Sequence, residues 1–144
     1  MSRSYKGLEF ETGLMAHWAA FFDLAGWQWD RGIAAIDNWK PDFRVSFPCA
    51  HSECSGSHTL LVSVLPVIDI EQVKGHPALE HIYEIKDDLG HWIAHAGALF
   101  GNSPDVSSWQ MSHGSGGGIG TVHMWVDNAA QLWFEAHRVL RSAQ

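Results

Sequence analysis

Leu14, Trp18, Phe21 and Phe22 recur every three to four residues behind Thr12 and ahead of Gly26. That spacing lines one face of a helix, Thr12 can cap its first turn, and Gly26 can take the left-handed residue that ends it. A helix over residues 12–25 is predicted. Residues 27–30 predict a short strand. Phe43, Val45 and Phe47 alternate with Asp42, Arg44 and Ser46, the period of a strand buried on one face. Residues 59–68 form a nearly continuous apolar, β-branched run, which predicts a central strand covered on both faces. Pro77, Leu79, Ile82, Ile85 and Leu89, followed by Gly90, predict a second helix. Strands are expected near 91–100, 106–112 and 119–126, the last two joined by glycines at 114–118. Ala129, Leu132, Trp133, Ala136, Val139 and Leu140 share one face of a closing helix capped by Asp127 or Asn128. Helix, strands, helix, strands, helix is the order of an α/β fold, a central mixed β-sheet flanked by helices. With 144 residues and no linker, residues 1–144 read as a single domain.

Composition adds bulk and sign to this picture. Hydrophobic residues make up 46% and charged residues 17%, so a packed interior is expected and a solvated tail is not. Eight Trp belong mostly to that interior, with Trp39 the best candidate for exposure. Nine Lys and Arg against 16 Asp and Glu leave a net charge of −7, which opposes sequence-blind binding to nucleic acid. The expected partner is therefore another protein or a second copy, a homodimer. The apolar run at 60–68 is shorter than the ~20 residues that span a bilayer, and the first residues lack a signal-peptide core. No membrane association and a cytoplasmic location are expected.

Cys49, His51, Cys54 and His58 form Cys-x-His-x₂-Cys-x₃-His in a turn-rich connector, a ligand set that Zn²⁺ can take tetrahedrally. The alternative is a reduced loop whose residues serve turns and caps. His91 and His95 stand four apart in a segment read as strand, where that spacing does not align them for a shared metal. The glycines at 114–120 lack the Lys-Ser/Thr ending of a phosphate loop and read as a hairpin.

Three segments carry a family resemblance: Thr-Gly-Leu-Met-Ala-His-Trp-Ala-Ala-Phe-Phe at 12–22, Lys-Pro-Asp-Phe-Arg-Val at 40–45, and Leu-Leu-Val-Ser-Val-Leu-Pro-Val at 60–67. In order, spacing and flanking residues they resemble the PD-(D/E)xK nucleases of restriction-endonuclease-like fold, in particular small phage and bacterial members. The resemblance spans most of residues 10–77. It implies a phosphodiesterase site in which Asp and Glu hold Mg²⁺ and a Lys two residues after the Glu orients the attacking water.

Laid onto this chain, the motif Asp is Asp42, after Pro41. The Glu position falls on Ser63, the Lys position on Leu65, and the acidic position of the first helix on Met15. Losing one preorganised charge commonly costs about 10²–10³ in rate, so the resemblance implies the fold more strongly than the reaction. Asp69, Glu71 and Lys74, in Ile-Asp-Ile-Glu-Gln-Val-Lys at 68–74, are the candidates for replacing the lost groups; the competing view is that Glu71 and Lys74 form a solvated surface ion pair. Three functions follow. The first is a non-catalytic relative of these nucleases, a binding or structural module of a small phage or mobile-element protein. The second is an active metal-dependent nuclease with ligands rearranged around Asp42. The third is a zinc-stabilised interaction domain.

Overall fold

A computed structural model of the chain describes residues 3–48, 56–82, 84–113 and 116–142. The chain opens with a hairpin that the hydrophobic pattern does not announce, β1 (Ser4–Tyr5) against β2 (Leu8–Glu9), turned through Lys6 and Gly7 at positive φ. Helix α1 (Gly13–Ala25) follows where expected. The Thr12 side chain accepts the N–H of Met15, and Gly26 ends the helix at φ 78°.

The chain then lays down β3 (Gln28–Asp30), β4 (Phe43–Pro48) and β5 (Ser57–Val64) as an antiparallel meander. A crossover leads to β8 (Ala96–Phe100), which runs parallel to β5, and β9 (Ser107–His113) and β10 (Gly116–Gly120) extend the sheet antiparallel. The result is a six-stranded mixed sheet in the order β10-β9-β8-β5-β4-β3. Helix α3 (Ala129–Ser142) closes the chain.

Period-two alternation sorts the strand residues between two cores. Leu60 and Val62 of β5, Phe43 and Val45 of β4, and Phe100 of β8 face α1 and α3, where they meet Trp18, Phe21, Phe22 and Ala136. Leu61 and Leu99 face the other side, against Trp39, Ala78, Ile85 and Ala94. Among the described residues, one short helix, α2 (Pro77–Glu80), covers that second face, together with a 3-10 turn at Ile70–Val73 and a hairpin of β6 (Ile85–Lys86) and β7 (Trp92–Ala94).

The second helix is therefore much shorter than the spacing of Leu79, Ile82, Ile85 and Leu89 predicts. Its continuation is claimed by strand pairing: the His81 carbonyl accepts from Gly97 N, and Ile85 pairs with Ala94. Asp87 Oδ1 accepts the N–H groups of Leu89 and His91, so Gly90, at φ 83°, serves a hairpin turn instead of a helix end, and Leu89 is exposed. The strand expected over 59–68 stops at Val64, and the one over 91–100 divides into β7 and β8, which belong to different sheets. The strand expected over 119–126 is displaced toward the glycines; residues Val122–Met124 turn as 3-10 helix. Trp39, expected at the surface, is 4% exposed and packs in the second core.

Candidate functional site

The positions singled out by the motif come together at one end of the central strands. Asp42 lies immediately before β4. Its N–H donates to Val62 O at 2.8 Å, and its carboxylate Oδ2 accepts the N–H of Val64 at 2.8 Å. The carboxylate thus occupies the place of a main-chain acceptor on β5. The pairing of Phe43 with Val62 and Arg44 with Leu61, continued by one step, sets Asp42 beside Ser63.

Each remaining motif position is taken up in packing. Ser63 is 5% exposed, and its Oγ accepts the indole N–H of Trp39 at 2.7 Å. Leu65 packs against the second core and donates its N–H to Phe100 O. Met15 is buried in the first turn of α1. A Mg²⁺ site of the motif's kind needs carboxylates at 15 or 63 beside Asp42, and the residues present there do not fit it: an apolar thioether, and a hydroxyl already engaged by an indole.

Glu71 and Lys74 lie beyond the end of β5. Both are exposed, Glu71 within the 3-10 turn that Asp69 caps and Lys74 just after it, and no ion pair joins them among the described residues. Burial pushes the Asp42 carboxyl up from its ordinary range. The Val64 N–H opposes this, Glu11 adds to it, and His76 and Lys40 oppose it.

Met15 and Asp42 line a cavity of about 690 Å³ whose rim carries Glu11, Arg31 and Lys40. Sequence spacing did not reveal these rim residues. Glu11 precedes a helix cap and Arg31 follows a short strand, so both look like ordinary solvated charge until the Arg31–Glu9 contact brings the two segments to one cavity. The nearest signal was Lys40, two residues before Asp42.

Of the tentative zinc set, Cys49, His51 and Cys54 lie outside the described residues. His58 is buried on β5, its ring 5.1 Å from that of His95, whose Nδ1 accepts the N–H of Thr59. Among the described residues, no group of three or more His, Cys, Asp or Glu is placed to hold a metal ion, and no helix is long and apolar enough to cross a membrane. No family model, no curated protein and no solved structure matches the chain.

Proposed function

We propose that this chain is a non-catalytic relative of the PD-(D/E)xK nucleases and acts as a binding or structural module. The observation that carries this reading is the Trp39–Ser63 hydrogen bond, which buries an indole at the position where the motif's Glu would face its metal. Supporting it, the one carboxylate that the motif retains, Asp42, serves as a hydrogen-bond acceptor for β5. The order helix, three-stranded meander, crossover and parallel strand agrees with a restriction-endonuclease-like core, because it puts the Asp strand and the Glu-x-Lys strand side by side. The net charge of −7 favours a protein or small-molecule partner, a second copy included, over a nucleic-acid backbone. A cytoplasmic role in a phage or mobile-element setting accords with the family resemblance.

The test is incubation with single- and double-stranded DNA and RNA in Mg²⁺ or Mn²⁺. Asp42→Asn is the control, because the amide oxygen can still accept from Val64 N. No hydrolysis above a no-protein blank is expected from either protein. Cleavage by the wild type that disappears in Asp42→Asn would overturn the proposal and install an active nuclease with rearranged ligands.

A further inference from the structure

The cavity beside Asp42 has a charge arrangement that its own residues leave unsatisfied. Arg31 donates to the Glu9 carbonyl at 2.6 Å and lies 4.2 Å over the Phe10 ring, while Lys40 donates to the Ile33 carbonyl at 3.1 Å. Both cations are held in place by neutral groups, and neither forms an ion pair with a carboxylate among the described residues. Opposite in sign, the Glu11 carboxylate accepts no hydrogen bond among the described residues, Arg3 donating to the Glu11 main-chain carbonyl instead. Asp42 uses only Oδ2, leaving Oδ1 without a hydrogen-bond partner there. The fifth charge on the rim, Glu9, is already engaged by Arg3 at 3.6 Å and by Ser4 Oγ at 2.6 Å.

Two cations and two carboxylates therefore face one space over an apolar floor of Met15 and Pro41, both of which are buried. Glu11 and Asp42 are close enough to repel each other, a repulsion that a cationic group between them would relieve. Arg31 and Lys40 call for an anion in the same way. A ligand of one sign would satisfy half of the rim and be repelled by the other half. About 690 Å³ falls within the ~300–1,000 Å³ typical of small-molecule sites.

We infer that this cavity binds a small zwitterion of the amino-acid class, its ammonium toward Glu11 and Asp42, its carboxylate toward Arg31 and Lys40, and an apolar side chain on Met15 and Pro41. The inference rests on the non-catalytic reading above and gives that module a ligand class. No covalent step is involved.

Calorimetric titration of the full chain with L-leucine, N-acetyl-L-leucine, L-leucinamide and inorganic phosphate tests it in the absence of nucleic acid. L-leucine is expected to bind, and the two blocked forms to bind about tenfold to a hundredfold more weakly, the usual effect of losing a charge-assisted hydrogen bond. Glu11→Gln should reduce the preference for L-leucine over N-acetyl-L-leucine, with Asp42 retaining part of it, and Lys40→Gln should likewise reduce the preference over L-leucinamide, with Arg31 retaining part. Both replaced residues are exposed, so neither variant threatens folding, which a thermal melt verifies. No heat from L-leucine at millimolar concentration, or phosphate binding as tightly as L-leucine, overturns the inference. Those outcomes leave the non-catalytic reading standing, whereas nucleic-acid cleavage removes that reading itself.

Discussion

At the scale of single residues, the pair Trp39 and Ser63 concentrates the difference between a nuclease site and this one. A buried indole N–H must find an acceptor, because an unsatisfied buried donor costs about 1–3 kcal/mol, and Ser63 Oγ is the acceptor it finds. Ser63→Ala is therefore expected to lower stability by about that amount, read as a lower urea midpoint at unchanged slope. In Trp39→Phe the donor is gone and only packing is lost. The double variant should then fall short of the summed single losses by on the order of 1 kcal/mol, the signature of a direct contact. Full additivity would mean that the hydrogen bond contributes nothing. The same contact explains why restoring Glu at 63 and Lys at 65 is not a simple repair. The Glu would displace Trp39 from the second core, and the Lys would leave its apolar packing there.

Individual elements show where the chain could be read and where it could not. Helix α1, strands β4 and β5 and helix α3 were legible because their patterns coincide with single-face burial and with local caps: Thr12 and Gly26 bound α1, and Phe43, Val45 and Phe47 all enter one core. The segment from 77 to 90 departs from the helix its pattern predicts because an apolar spacing of three and four also suits a short helix followed by a hairpin. What decides between them is tertiary: the pairing of His81 with Gly97 and of Ile85 with Ala94. Of the site, Asp42 and the lost motif positions were visible as residues, but the Trp39 indole and the charged rim depend on contacts between segments distant in sequence. Gly97 marks one such close tertiary approach. A Cβ there would lie 2.5 Å from the Ala78 carbonyl oxygen and 3.0 Å from the Trp39 ring, so α2 can rest on β8 only because the side chain is missing. Gly97→Ala is expected to cost about 1–3 kcal/mol, the usual range for overpacking, and to speed amide exchange in α2 while leaving α1 and α3 protected. A variant as stable as wild type would show that α2 does not press on the strand.

Across the whole molecule, one buried histidine and two half-buried ones couple stability to pH. His17 is 4% exposed between α1 and α3; its ring stacks on Trp133 at 3.5 Å, and Nε2 meets the Trp133 carbonyl at 2.9 Å, while Nδ1 is buried without a hydrogen-bond partner. Burial holds its basicity below the ordinary value of 6.5, and the nearby His137 acts in the same direction. Burial does the same to His76 and His95, although Asp42 opposes it at the first and Thr59 and Glu84 at the second. The unfolded chain takes up these protons more readily than the folded one, so their contribution is fully present above about pH 6.5 and is lost as pH falls from there toward the lower folded values. The net charge of −7 works in the opposite sense, since protonation reduces self-repulsion, but exposed charges are screened within ~8–10 Å at ordinary salt and buried imidazoles are not. The desolvated histidines, His17 above all, should therefore win, and the urea midpoint is expected to drop between pH 7.5 and 5.5. His17→Gln keeps a donor for the Trp133 carbonyl without a titratable ring, so it should flatten that drop and leave the remainder to His76 and His95. A midpoint that stays level or rises on acidification would show instead that relief of surface repulsion governs the response of the fold to acid.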